Sequence, residues 1–194
     1  MKNILIIGAT GSLGETLRRK LANQDQYQLT LFSRGSNLLR LNENEQAMAA
    51  SVFEDEKLNR AMQKQDIVFV ALSGNLPEMI KPILKVMYDN KVKRIVFVSS
   101  IGIYNEIRGS GNISNNPILQ PYRQTADIVE ESGLDYTILR PAWFDNGSDT
   151  TCQISLKGET VTGHDVSRKA IIELVSTIID QPERYLNQNI ALFR

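Results

Sequence analysis

The stretch Asn3–Ala22, "NILIIGATGSLGETLRRKLA", runs an apolar string into glycines at positions 8, 11 and 14, then into apolar residues spaced three or four apart. That order predicts a buried strand, a tight turn and an amphipathic helix. Glycines gathered at such a junction mark unusual dihedrals or a place where something must approach the backbone closely. In a dinucleotide-binding βαβ unit they make the turn, admit a diphosphate to the backbone and let helix and strand pack, while the free N–H groups and positive end of the helix hold the anion. A triphosphate loop of the Walker type needs Lys and then Ser or Thr after its last glycine, whereas Glu15 and Thr16 follow Gly14. A turn without a ligand is the plain alternative. The strand before it and the βα alternation after it favour a bound dinucleotide.

The next strand candidate, "YQLTLFSR" (27–34), ends twenty positions past Gly14. An NAD-selective site carries a carboxylate there, roughly 20 residues on, to accept hydrogen bonds from the ribose 2′-hydroxyl. This chain has Arg34, with Ser33 before it. A guanidinium attracts a 2′-phosphate and gives it charge-assisted hydrogen bonds. NADP(H) is therefore expected in preference to NAD(H), against the alternative of an ordinary solvated arginine.

Further β-rich runs follow at "AMAASVF" (47–53), "DIVFVALSG" (66–74), "RIVFVSSIG" (94–102) and "LDYTILRPA" (134–142), apolar enough for strands covered on both faces. Helical patterns lie between them at 15–23, 55–65, 76–90 and 118–132, and Pro82 should kink the third. "ENEQ" (43–46) reads as a polar loop before a weak third strand. From about residue 143 to 165 the composition turns to Gly, Ser, Thr and Asp and reads as an irregular excursion. A helix in "VSRKAIIELVSTIID" (166–180) and a last strand in "NQNIALF" (187–193) come after it. The alternation predicts right-handed crossovers and a parallel sheet, hence an α/β, Rossmann-type, doubly wound, three-layer α/β/α fold in one domain, 1–194.

The 22 basic and 22 acidic residues leave no net charge, which argues against a basic face for nucleic acid or anionic membrane. A lone cysteine, Cys152, precludes an internal disulfide, and no apolar run nears the roughly 20 residues that span a bilayer. The opening segment, broken by glycines and then by charge, does not read as a signal peptide. The expectation is a cytoplasmic protein, monomer or homodimer, with a small-molecule substrate and neither nucleic-acid nor membrane partners. His164 is the single histidine, so a multi-histidine metal site is excluded and no metal is expected; it reads as a helix-start or surface residue. Cys152 has no basic sequence neighbour to stabilise a thiolate and reads as non-catalytic.

Taken together, "GATGSLG" (8–14), "VALSG" (70–74), "RIVFVSSIG" (94–102) and "SGLDYTILRPAWF" (132–144) resemble the atypical short-chain dehydrogenase/reductase group with NAD(P)H-binding, NmrA-like domains, over most of the chain. The resemblance implies strand order 3-2-1-4-5-6, a cofactor extended across the strands' carboxyl ends and a small C-terminal segment covering the substrate cleft. It places Gly8, Thr10, Gly11, Ser12, Leu13 and Gly14 in the phosphate-binding turn, and Arg34, beside Ser33, at the 2′-phosphate. Ala71, Leu72 and Ser73 would border the cofactor. Ser99, Ser100, Arg140, Pro141 and Ala142 fall near the nicotinamide. The Gly-Asp pair common in the family after the third strand is replaced by Ala50 and Ser51, which puts the adenine contact in question.

Short-chain reductases donate a proton from the tyrosine of Tyr-x-x-x-Lys, whose lysine lowers the tyrosine pKa. Here "YRQTA" (122–126) puts Ala126 in the lysine's place. Arg123, one residue along a helix, is turned about 100° away. Tyr122 and Tyr104 remain candidate hydrogen-bond donors, each with the alternative of an ordinary half-buried aromatic. Trp143 and Phe144, at the sheet's carboxyl edge, either line a flat substrate cleft with Tyr104 or pack beneath the excursion. The main expectation is an NADPH-dependent reductase of a small, flat conjugated or carbonyl acceptor, with Ser99, Ser100 and Tyr122 assisting. The missing lysine favours the rival reading, a non-catalytic NADP(H) sensor or regulatory interaction protein. An epimerase or dehydratase using the nicotinamide transiently ranks third.

Overall fold

Ile4, Leu5, Ile6 and Ile7 have no exposed surface, as a strand covered on both faces requires. They form β1 (Lys2–Ile7) in a computed structural model that describes residues 1–194. The chain divides into two compact units, residues 1–96 and 97–194. In the first, β1 is followed by α1 (Ser12–Leu21), β2 (Tyr27–Ser33), β3 (Glu45–Ala49), α2 (Asp55–Met62), β4 (Ile67–Val70) and α3 (Leu76–Asp89). β1 pairs in parallel with β2 on one side and β4 on the other, and β2 in parallel with β3. Ile7 lies opposite both Phe32 and Val70, and Phe32 opposite Met48. The residues leaving these strands, Gly8, Arg34, Ala50 and Ala71, therefore emerge along one edge.

β5 (Arg94–Val98) leads into the second unit, which holds α4 (Gln120–Glu131), β6 (Asp135–Pro141), β7 (Trp143–Asp145), β8 (Gln153–Leu156), β9 (Asp165–Ser167), α5 (Arg168–Asp180) and β10 (Gln188–Phe193). β10 pairs in parallel with β6 and antiparallel with β8, while β7 and β9 form a parallel ribbon of their own. The strand order is 3-2-1-4-5-6-10-8: the expected Rossmann order, extended by the last strand and by β8. No helix is long and apolar enough to cross a membrane.

Three details depart from the sequence reading. β3 begins at Glu45, inside the supposed loop, because the buried Glu45 carboxylate accepts two hydrogen bonds of 2.7 Å from Arg18 of α1 and one of 2.8 Å from the Asn42 N–H. α1 begins at Ser12 rather than Glu15, since Gly11 takes the N-cap position. The excursion is more ordered than its composition suggests. It contains β8, whose Leu156 faces Ile190 of β10, and it is tied down by Arg194, which reaches Asp165 at 2.6 Å, Asp145 at 2.5 Å and also Asp149.

Candidate functional site

Where β1 ends, Gly8 takes φ +91°, and a Cβ there would run into the carbonyl of Ala71. Gly14, on the first turn of α1, would place a Cβ 2.9 Å from the Gly8 carbonyl carbon and 3.0 Å from the Ala9 Cα. These two glycines are required by the close approach of α1 to the end of β1. Gly11 differs: its φ is −78° and a Cβ would meet only the Gly8 oxygen, at 3.2 Å. No side chain caps α1, and the first intrahelical bond runs from the Glu15 N–H to the Gly11 carbonyl at 2.8 Å. The amides of Ser12, Leu13 and Gly14 thus have no intrahelical acceptor and carry the positive end of the helix dipole.

Beside this turn lies a cleft of about 560 Å³, within the roughly 300–1,000 Å³ of small-molecule sites. Gly8, Thr10 and Gly11 form one wall, Ser33 and Arg34 another, and Ala71, Leu72 and Ser73 a third. Ala50 and Ser51 also line it, with Val52 and the exposed Phe53 after them. Sequence reasoning missed Val52, Phe53 and, from the start of α3, Asn75 and Met79. The first two could have been found by continuing past the end of the third strand. Ser12, Leu13 and Gly14 are not among the lining residues; Leu13 is buried and Gly14 packs on the turn.

Arg34 is the sole charged residue of the lining, and its exposed side chain engages no carboxylate. Next to it, Thr10 Oγ1 donates to Ser33 Oγ at 3.0 Å, and Ser33 Oγ lies 2.8 Å from Ser36 Oγ. A glycine cradle, unpaired helix-start amides and an acid-free cleft with one free cation fit the diphosphate and phosphorylated ribose of a dinucleotide.

In the second unit, Ser99 is 4% exposed and its hydroxyl donates to the Tyr122 carbonyl at 3.3 Å. Ser100 is half-buried and donates to the carbonyl of Ile101 at 3.2 Å. Tyr122 is half-buried on α4, one turn before the fully buried Ala126. Arg123 does not substitute for the missing lysine: its Nε donates to both Asp127 oxygens at 2.9 and 3.0 Å, and its guanidinium lies over the Tyr104 ring at 4.4 Å.

Tyr104 is not poised to give up a proton. Its hydroxyl accepts from Asn189 Nδ2 at 2.8 Å and faces Glu130 at 3.5 Å. Burial, and then the Glu130 carboxylate, hold the phenol well above its ordinary value. Arg140, expected near the nicotinamide, is wholly buried and committed to Asn189 Oδ1 at 2.7 Å and to the Glu106 carboxylate. Glu106 in turn accepts from the N–H groups of Gly102 and Tyr104 at 3.0 and 2.8 Å. Arg140 therefore organises the chain after β5 from within.

Pro141 and Ala142 are buried. Trp143 is 86% exposed, so the core-packing alternative fails for it, while Phe144 carries the Arg168 guanidinium over its ring at 4.8 Å. His164 is exposed. Burial pushes the Cys152 thiol up, away from a reactive thiolate.

A family model described as NAD(P)H-binding matches residues 8–182. A Rossmann-fold NAD(P)-binding family protein from Shigella flexneri is 34% identical over all of this chain and 94% of its own, with a TM-score of 0.89. A short-chain dehydrogenase/reductase from Veillonella parvula, solved in complex with NADP, superposes with a TM-score of 0.91 at 24% identity, over all of this chain and 94% of its own. ChuY, an anaerobilin reductase from Escherichia coli O157:H7, reaches 0.84 at 16% identity, over 99% of this chain and 97% of its own. No curated protein matches significantly. With its glycine turn, acid-free cleft and strand order accounted for, this chain is a member of the NAD(P)H-binding family of Rossmann fold.

Proposed function

We propose that the protein is an NADPH-dependent oxidoreductase that reduces a small, flat conjugated or carbonyl acceptor. The observation that carries the reading is the charge of the cleft, whose one charged lining residue, Arg34, stands where NAD-selective sites carry an acid. A bound reduced nicotinamide supplies the hydride. The chain's own part is to hold and orient. Amides of the glycine turn and the start of α1 take the diphosphate, and Arg34 and Ser33 take the 2′-phosphate. Tyr122, together with Ser99 and Ser100 once their hydroxyls turn from the carbonyls of Tyr122 and Ile101, donates to charge developing on the acceptor, and the exposed Trp143 indole offers it a flat face. Arg140 acts at one remove, through Glu106. The anaerobilin reductase activity of ChuY, a protein of the same fold, supports reduction as the chemistry. We further assign it a cytoplasmic, small-molecule role as monomer or homodimer.

The second reading, a non-catalytic NADP(H) sensor or regulatory interaction protein, is favoured by the protonation chemistry. Ala126 replaces the lysine, Arg123 is engaged by Asp127, and the Tyr104 phenol is held protonated. NADPH consumption followed by absorbance with quinones, flavins and aldehydes separates the two: turnover supports the reductase, and tight binding without turnover across the panel supports the sensor. Arg34→Glu tests the cofactor preference. Loss of a charge-assisted contact of about 1.5–3 kcal/mol, plus repulsion, should lower the NADPH-to-NADH affinity ratio about 100-fold. An unchanged ratio refutes the assignment.

A further inference from the structure

Ser36 does not line the cleft, yet it has no exposed surface and its hydroxyl has a single protein partner, Ser33 Oγ at 2.8 Å. It opens a short 3-10 turn, Ser36–Leu38, directly after β2 and Arg34–Gly35. A buried hydroxyl that gives its proton to nothing carries a desolvation cost. Ser33 Oγ is the one acceptor within reach, so the Ser36 proton is directed at it. Thr10 Oγ1 donates to the same oxygen from the other side at 3.0 Å. An oxygen that accepts twice has its own proton left over, and hydrogen bonds received by a hydroxyl strengthen the one it gives. Ser33 and Thr10 line the cleft beside Arg34, whereas Ser36 does not. The spare Ser33 proton is therefore available to an anion in the cleft.

We infer that Ser36 is a specificity-determining positioning residue: by donating to Ser33 it orients the Ser33 hydroxyl as a donor to the 2′-phosphate, so that the cleft's preference for phosphorylated dinucleotides comes from a Thr10–Ser33–Ser36 relay as well as from Arg34. This rests on the NADPH reading of the same cleft. It implies that Ser36 touches no ligand and acts wholly through Ser33.

The probes are 2′,5′-ADP and 5′-AMP, which differ by the phosphate in question and need no turnover. Calorimetric affinities of both are measured for the wild type, Ser36→Ala, Ser33→Ala and the double variant, with circular dichroism and thermal melting confirming the fold. Ser36→Ala should weaken 2′,5′-ADP about fivefold to tenfold and leave 5′-AMP within about twofold. Ser33→Ala should lose at least as much, and the double variant no more than Ser33→Ala alone. Ser36→Cys keeps the volume with a weaker donor and should show the same selective loss, which covers the case in which alanine leaves a damaging cavity. Equal weakening of both probes, or additive losses in the double variant, overturns the relay. A wild type that prefers 2′,5′-ADP while Ser36→Ala and Ser36→Cys keep the full preference overturns the relay alone. A wild type without that preference overturns the NADPH reading and the relay with it.

Discussion

Replacing Gly14 and Gly11 separately by alanine should divide folding from binding. At Gly14 the new Cβ meets backbone, 2.9 Å from the Gly8 carbonyl carbon and 3.0 Å from the Ala9 Cα, with no rotamer to relieve it. Overpacking against backbone, which cannot rotate away, falls in the upper part of the usual range, about 2–3 kcal/mol, and alanine returns about 1 kcal/mol of helix propensity. The net loss is about 1–2 kcal/mol, or about 2–8 °C in Tm for a chain of this size. At Gly11 the Cβ has one neighbour, the Gly8 oxygen at 3.2 Å. The poorer N-cap costs about 0.5–1 kcal/mol, and the stiffer unfolded chain gives back about 0.4–1 kcal/mol, so stability should hardly move. Gly11 nevertheless lines the cleft, and a methyl there keeps the diphosphate from the backbone. NADPH affinity should fall at least about tenfold, or 1.4 kcal/mol. Thermal melting and calorimetry read the two effects independently. A Gly11→Ala protein that melts low while binding normally, or a Gly14→Ala protein as stable as the parent, refutes this reading of the turn.

Two further outcomes concern buried ion pairs. Burial pushes the Glu45 carboxyl up, but hydrogen bonds from Arg18 and Asn42 more than offset it and hold the pKa below its ordinary 4.5. The pair's contribution should be complete above about pH 4.5 and fade as pH drops below it; urea titrations of the wild type and Glu45→Gln should differ at pH 7 and converge toward pH 3, and a gap that persists counts against this account. Glu106→Leu strands the wholly buried Arg140 and should cost about 3–5 kcal/mol. Adding Arg140→Met should recover part of it in the same urea assay, since the Gly102 and Tyr104 N–H groups still lack their acceptor, and purely additive losses would count against a coupled pair.

Short-range pattern carried much of this protein. The strand–glycine–helix opening, the buried runs of β4 and β5 and the position of Arg34 are read within windows of a few to about twenty residues, because backbone dihedrals, strand burial and helix periodicity are local properties. Glu45 escaped that reading because hydropathy counts a carboxylate as loop-forming, and nothing near it in the chain reveals that Arg18, 27 residues earlier, satisfies it. The segment 143–165 escaped for a similar reason: β8 is a strand through its pairing with β10, and Arg194 gathers Asp145, Asp149 and Asp165 from across the intervening turns.

The amino-acid order alone determined that a parallel α/β sheet would end in a glycine turn at the mouth of a helix, with a cation in place of the usual acid after the second strand. Tertiary structure alone decided what each polar side chain faces. It buried Arg140 against Glu106, 34 residues away, left the Trp143 indole in the open, and set the Ser36 hydroxyl behind Ser33. The physical reason is that a hydrogen bond or ion pair is defined by distances of about 3 Å, and distances that small between residues far apart in the chain exist only once the sheet and its crossovers are packed.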